Sequence, residues 1–271
     1  MNPDDFNFIS NLLKERSGLV LTPDKTYLLE SRLVPVARKH ELKGLDELIA
    51  AVRDPTNGAL VTDVTEAMTT NESFFFRDTK PFDLFRENVL PQLIESRADK
   101  KSFRILCAAA SSGQEPYSLA MILKEEAAKP QGWSYEIVGT DISLEILEKA
   151  KSGLYSQFEA QRGLPIQMLI KYFDKVAEQW QIKQEIRDMV QYKEYNLLDD
   201  LTPLGRFDVV FCRNVLIYFE QETKSKVLES ISKLMPDDGM LFLGGAETVL
   251  GVSDRFKPVP GQLGVYSVVP A

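Results

Sequence analysis

The sequence predicts an α/β protein, a mostly parallel sheet with helices on both faces, preceded by a small all-helical domain. Short apolar, β-branched runs recur at Phe103 to Ala110, Tyr135 to Thr140, Val190 to Tyr195, Phe207 to Cys212 and Met240 to Leu243. Helical patterns lie between them near Pro116 to Ala128, Leu144 to Lys151 and Gln221 to Met235. Strands that alternate with helices need crossover connections, and crossovers make parallel sheets. With 271 residues, 44% of them hydrophobic and 27% charged, the chain has the length and composition for one large soluble core and a smaller one.

The first quarter has helical spacing only. Phe6 to Arg16, Pro23 to Lys39, Leu45 to Val52 and Asn57 to Met68 read as helices, punctuated by Ser17-Gly18, Gly44 and Asp54-Pro55. The run TTNESFFFRDTKPF, Thr69 to Phe82, joins this domain to the rest, and a further helix is expected over Phe82 to Ser96. Between Ser152 and Met189 the chain makes an excursion too long for a βα loop, so an inserted subdomain is expected. The closing FKPVPGQLGVYSVVP reads as a β-hairpin, and antiparallel edge strands are common on such sheets.

Composition narrows the function. A formal net charge of -8 argues against a general nucleic-acid binder, which needs Lys and Arg to displace counterions from phosphate. No apolar run reaches the length of a membrane span, and MNPDDFNF lacks the basic end and apolar centre of a signal peptide, so the cytoplasm is expected. The two cysteines, Cys107 and Cys212, sit in apolar strand-like runs without metal-ligand spacing, and the single histidine, His40, has no clustered partner. No metal is expected. The segment SRLVPVARKHELK, Ser31 to Lys43, sets Arg32 and Lys39 on one helical face against Leu29, Leu33 and Val36, with Pro35 as a kink or boundary. Taken alone, it is a solvated face or a local basic patch.

Three turns at strand ends bear on a ligand. The first is Ser111-Ser-Gly-Gln-Glu115, where a strand gives way to a helix with Pro116 in its first turn. Such a turn is either a plain βα connection or a place where backbone N–H groups meet a ligand. The second, EIVGTDIS, ends in Asp141, which is either a ribose-binding acid or a helix N-cap. In the third, VVFCRNVLIYF, the polar pair Arg213 and Asn214 interrupts an apolar run; burying it without partners is costly, so an opening or a network is expected. The Gly-x-Gly-x-x-Gly signature of dinucleotide sheets is absent, which favours a nucleoside cofactor without a pyrophosphate.

Together TTNESFFFRD, SSGQEPYSLA, GTDIS, YNLL, FDVVFCRNVLIYF and DDGMLFLGGAE closely resemble the chemotaxis receptor methyltransferase family, CheR, in order from about Phe6 to Ser267. The resemblance implies a Rossmann-like class I S-adenosylmethionine-dependent methyltransferase sheet with an N-terminal helical domain and an inserted antiparallel β subdomain. It divides the chain into a helical domain at 1–70, a linker and start of the catalytic domain at 71–90, and a methyltransferase domain at 91–271 with the insert at about 152–189. The implied cofactor is S-adenosylmethionine, with S-adenosylhomocysteine as product, and the implied acceptors are glutamates on the cytoplasmic signalling helices of chemoreceptors.

The family pattern puts Asn71, Ser73 and Arg77 over the cofactor, Glu115 at its amino acid end and Asp141 on its ribose. Asn196 and Leu197 flank the adenine, Arg213 and Asn214 close the site, and Tyr218, four residues beyond Asn214, faces the same cleft if the chain turns helical there. Ser73 stands where threonine is frequent, and Gln114 where a second glutamate is common. Arg77 and Tyr218 are the catalytic candidates: Arg77 holds either the cofactor carboxylate or the incoming glutamate, and Tyr218 orients the acceptor or faces the sulfonium. A glutamate acceptor has a reference pKa of about 4.3 and needs no base near neutrality, so alignment is the main task.

In the family the basic helix of the first domain faces the receptor, which assigns Arg32 and Arg38 to substrate binding, although Pro35 and Val36 replace other basic positions. Some members also grip an aromatic peptide at the receptor's C-terminal end through a glycine-rich hairpin of the insert. Here Tyr172 to Ile186 contains no glycine, so independence from a receptor tail is expected, with Trp180 packing the subdomain. The competing readings are a non-catalytic S-adenosylmethionine-binding module and a methyltransferase acting on another protein.

Overall fold

The structure, a computed structural model, describes residues 2–126 and 132–270. The chain forms two compact units: residues up to Thr70 with Tyr218–Thr223, and Asn71–Ile217 with the residues from Lys224 onward.

The helical unit contains α1 (Pro3–Ser17), α2 (Thr26–Lys39), α3 (Leu45–Val52) and α4 (Gly58–Met68). The Asn2 side chain caps α1 by accepting the Asp5 N–H at 2.8 Å, and Gly18 closes it at φ 76°. One face of each helix feeds a common core of Ile9, Leu13, Leu29, Leu33, Val36, Leu48, Ile49, Val64 and Met68. Pro35 does not end α2, and both it and Ser31, the residue whose carbonyl it frees, are exposed. His40 sits 2.7 Å from Asp63 in a surface pair.

Arg32 turns away from the exposed basic face. Its Nη1 donates to the Met68 and Thr69 carbonyls at 2.7 and 2.8 Å, and its Nη2 to the Thr70 hydroxyl at 3.2 Å. A guanidinium at a helix C-terminus satisfies carbonyls that the helix itself cannot and sits at the negative end of its dipole. Arg38, by contrast, is exposed.

The second unit opens with a helical stretch in which α5 (Lys80–Leu84) and α6 (Leu90–Ser96) flank a π-helical turn at Phe85–Val89. The wide turn precedes Pro91, whose ring has no N–H and crowds the carbonyl four residues back. There follow β1 (Ser102–Ala108), α7 (Gln114–Glu126), β2 (Ser134–Asp141), α8 (Leu144–Ser152), β3 (Leu154–Ser156), α9 (Gln157–Gln161), α10 (Ile166–Tyr172), β4 (Phe173–Val176), β5 (Gln179–Ile182), α11 (Gln184–Arg187), β6 (Val190–Glu194), β7 (Val209–Cys212), α12 (Gln221–Lys233), β8 (Met240–Leu243), β9 (Phe256–Pro258) and β10 (Val265–Val268). The final residues of the helix expected to reach Ala128 lie outside the described residues.

The main sheet runs β6-β2-β1-β7-β8-β10-β9, parallel from β6 to β8 and antiparallel at β10 and β9. The chain builds outward from β1 through β2 to β6, then crosses back to β7 on the other side of β1. Strand order therefore reverses between β1 and β7, and the crevice beyond their carboxyl ends, past Ala108 and Cys212, is where such sheets take ligands. From Ile105 to Ala108 and from Val209 to Cys212 the two strands are buried and apolar on both faces, and the Phe211 and Phe242 rings stack at 4.3 Å. Cys107 and Cys212 are buried, and burial pushes both thiols up in pKa.

The insert forms its own antiparallel sheet, β3-β5-β4. Its hairpin turn is the two residues Ala177 and Glu178, and Ala177 takes φ 50° without being a glycine. The missing glycine therefore does not prevent the left-handed conformation. Trp180, on the central strand, donates to Gln157 at 2.7 Å and lies under the Lys175 ammonium at 5.1 Å.

The two arginines of α2 should separate in a urea unfolding experiment. Arg32→Ala is expected to lower stability by about 1–2 kcal/mol through loss of the α4 cap, and Arg38→Ala by less than about 0.5 kcal/mol. Equal effects would contradict the capping role.

Candidate active site

The turn after β1 is strained along its length. Ala109, Ser111 and Gly113 take φ of 60°, 51° and 90°. The strand ends at Ala108, earlier than the apolar run suggests, because Ala109 is already left-handed. Only Gly113 is required by space, since a Cβ there would lie 2.6 Å from the Tyr192 hydroxyl. Ala109 and Ser111 hold their conformation through partners. The Ala110 N–H donates to the Thr140 carbonyl at 2.8 Å and the Ser111 hydroxyl to the Asn71 carbonyl at 2.9 Å. From the insert, the buried Tyr155 hydroxyl donates to the Ser112 carbonyl at 2.8 Å. Left-handed non-glycine residues cost on the order of 1–3 kcal/mol each and persist where surroundings over-determine them.

Asp141, at the tip of β2, is 6% exposed. One carboxylate oxygen accepts the Ser111 N–H at 2.9 Å and the other the Ser143 N–H at 3.1 Å. The N-cap of α8 is Ser143, whose hydroxyl accepts the Ile146 N–H at 3.3 Å, so the capping alternative for Asp141 falls to its neighbour. Beside it, beyond β6, the Asn196 side chain accepts the Leu198 N–H at 3.0 Å and fixes the half-buried Asn196-Leu197 bend.

At the other end of the crevice stands Arg213, with a side chain 1% exposed. Nη1 donates to Glu115 at 2.7 Å, and Nη2 to Asp78 at 2.7 Å and to the Arg77 carbonyl at 2.9 Å. The network expected for Arg213 is thus a clamp joining the end of β7, the first turn of α7 and the segment from Asn71 to Thr79. Within that segment Phe76, Asp78 and Thr79 are also left-handed. Arg77 donates to the Glu72 carbonyl at 2.7 Å, and the Phe76 N–H donates to the buried Ser118 hydroxyl at 3.0 Å. Ser73 is half-buried there. Gln114, buried, accepts the Ser112 hydroxyl at 2.7 Å, a structural use of that departure from the family pattern.

Burial pushes the Glu115 carboxyl above the ordinary glutamate range, against the pull of the Arg213 guanidinium. Asn214 is left-handed at φ 60°. Beyond it Leu216–Tyr218 is a single 3-10 turn. Tyr218 is half-buried and belongs to the helical unit.

The structure thus gathers Asn71, Ser73, Arg77, Glu115, Asp141, Asn196, Leu197, Arg213 and Asn214 in one unit, with Arg32, Arg38 and Tyr218 in the other. Sequence reasoning did not single out Asp78, Tyr155 and Glu247. For Asp78 there was a signal: a buried arginine in an apolar run requires carboxylates, and Asp78 ends the TTNESFFFRD motif.

A reversal of strand order, a strained turn over it and a buried acid at the tip of β2 define an open α/β sheet suited to a nucleoside-type ligand. Residues 71–265 match the family model described as CheR methyltransferase, SAM binding domain, and residues 4–69 the CheR methyltransferase, all-alpha domain. The chain belongs to the CheR methyltransferase family, whose cofactor is S-adenosylmethionine. It is 38% identical over 265 residues to chemotaxis protein methyltransferase Cher2 of Pseudomonas putida and 40% identical to chemotaxis protein methyltransferase 1 of Pseudomonas aeruginosa, covering 96% of each chain in both cases. With chemotaxis protein methyltransferase of Vibrio parahaemolyticus it shares 36% identity over 98% of this chain and 96% of that one. The donor set fits the cofactor: Asp141 offers carboxylate oxygens to a ribose diol, and Glu115 offers a negative charge to an ammonium.

If Glu115 holds the ammonium of the cofactor, its raised pKa gives binding a pH dependence. The ammonium favours the ionised carboxyl, so affinity is complete above the raised pKa and falls as pH drops through it, starting above the ordinary value of about 4.5. Calorimetry with S-adenosylhomocysteine at successively lower pH should show this acid limb. Glu115→Gln should bind about tenfold more weakly, by about 1.4 kcal/mol, and lose the limb. A limb that survives the substitution would assign it to another group.

Proposed function

We propose that this protein transfers the methyl group of S-adenosylmethionine to glutamate side-chain carboxylates of chemoreceptors, in the cytoplasm, giving glutamate methyl esters. The observation that carries the reading is a pair of carboxylates beside the strained turn after β1: buried Asp141 at the tip of β2, bound by the Ser111 N–H of that turn, and half-buried Glu115 in the first turn of α7 that follows it. The near-complete overlap with relatives named chemotaxis protein methyltransferases supports the biological setting. Among the described residues no helix is long and apolar enough to cross a membrane.

The bound cofactor supplies a methyl group on a cationic sulfur, ready for in-line displacement. The acceptor glutamate is ionised near neutrality, so the chain's residues have to bind, align and exclude water. Asp141 fixes the ribose and Glu115 the ammonium. Asn196 and Leu197 flank the adenine, Asn71 and Ser73 lie over the cofactor, and Arg213 with Asn214 closes the site. Arg77 and Tyr218 orient the acceptor carboxylate. Arg38, exposed on α2, meets the acidic face of the receptor helices, and Arg32 contributes through the α4 cap that it makes.

Independence from a receptor tail is part of this proposal. It is supported by the short Ala177-Glu178 turn and by the bond from Trp180 to Gln157, which commits that ring to the subdomain. A peptide added to a sheet edge and a tether that raises local concentration are the features such dependence would require.

The test uses radiolabelled S-adenosylmethionine and membranes carrying a chemoreceptor, intact or lacking its last residues. Base-labile label is expected on both receptors at rates within about twofold. Arg38→Glu should lower the rate severalfold, more at low salt, without changing cofactor affinity. Base-stable label would contradict the ester, and absence of label would favour a non-catalytic binding module. A tenfold loss on truncation would overturn tail independence.

A further inference from the structure

Beyond Cys212 and Leu243, the last paired residues of β7 and β8, the two strands part. Four backbone N–H groups at this parting need acceptors, and one buried side chain supplies them all. Glu247, 9% exposed, accepts the Asn214 and Gly244 N–H groups on Oε2 at 2.8 and 2.7 Å. Its Oε1 accepts those of Val215 and Ile217 at 3.0 and 3.3 Å. Gly244 makes room for this: a Cβ there would lie 2.7 Å from Glu247 Oε2 and 3.0 Å from the Asn214 nitrogen.

We infer that Glu247 is a positioning residue for methyl transfer, fixing the loop from Arg213 to Ile217 in the shape that presents Asn214 at the end of β7. The inference rests on the placement of the active site beyond β1 and β7. Three features select a carboxylate here. It accepts on both oxygens and donates nothing, which matches four converging donors. Asn214 is left-handed, a conformation asparagine takes more readily than most residues, and its N–H is one of the four that the carboxylate fixes. Arg213 makes its own hydrogen bonds to Glu115 and Asp78, whereas those of Glu247 go to Gly244 and the loop after Arg213; the Glu247 charge reaches Glu115 only through space. Removing it therefore loosens the loop that carries Asn214 while the hydrogen bonds of the Arg213 clamp stay in place.

Glu247→Gln keeps the shape but turns an amide NH2 toward two of the N–H groups. With chemoreceptor-bearing membranes as acceptor, the variant is expected to lose at least tenfold in kcat at saturating S-adenosylmethionine. Its Kd for S-adenosylhomocysteine should stay within threefold of the parent and its melting temperature within a few degrees. Hydrogen exchange at Asn214, Val215 and Ile217 should quicken while the β7 amides stay protected. Parental kcat, or a loss matched by an equal rise in Kd, overturns the positioning role. If Glu247→Gln does not fold, Gly244→Ala, which displaces the carboxylate and keeps its charge, reads the same split; parental kcat in that folded variant also overturns it. Asp141→Asn separates this from the underlying site reading: unchanged S-adenosylhomocysteine affinity there would sink the site itself, whereas weakened binding with a fully active Glu247→Gln would sink only the inference.

Discussion

The buried guanidinium of Arg213 is the constraint on which the rest of the site depends. A charge this enclosed is tolerated only with good partners, and removing one partner of such a pair typically costs about 3–5 kcal/mol. Its partners come from different parts of the chain: Glu115 from α7, and Asp78 and the Arg77 carbonyl from the segment before the sheet. One planar fork thus fixes three pieces of backbone around the crevice between β1 and β7. A lysine offers a single ammonium and cannot span the same set.

The insert stabilises the same turn from the other side. Tyr155 of β3 holds the Ser112 carbonyl, and its ring meets Phe75 edge-on at 5.0 Å, while Phe75 also packs on Phe173 of β4 at 5.5 Å. Arg162 adds an ion pair to Glu72 at 2.6 Å and lies over the Phe74 ring at 4.4 Å. The small sheet therefore acts as a buttress for the cofactor turn and for the segment from Asn71 to Thr79. Strain in Ala109, Ser111, Phe76, Asp78 and Thr79 is concentrated where these supports converge.

Much of this was legible in the sequence because it follows from local pattern. The helices of the first domain, the alternation that makes a parallel sheet, the excursion from Ser152 to Met189 and the acid at the tip of β2 all show in periodicity and punctuation. What stayed hidden depends on distant partners. The expected reach of β1 to Ala110 failed because Ala109 is held left-handed by the turn beyond it. Arg32 shares a helical face with Lys39, and only the fold brings the end of α4 beneath it. Ala177 accepts a left-handed turn without glycine because the strands on both sides pair. Glu247 looked like one acid after a glycine pair, and its four N–H partners come from loops that are separate in sequence.

The most direct measurement is hydrogen exchange, with S-adenosylhomocysteine calorimetry alongside, on Arg213→Lys. If the fork of Arg213 holds the crevice together, the amides from Phe74 to Thr79 exchange at least about tenfold faster while those of β1 and β7 stay protected, and cofactor affinity falls by about 1.4 kcal/mol or more. Parental exchange from Phe74 to Thr79 with parental affinity would contradict the account.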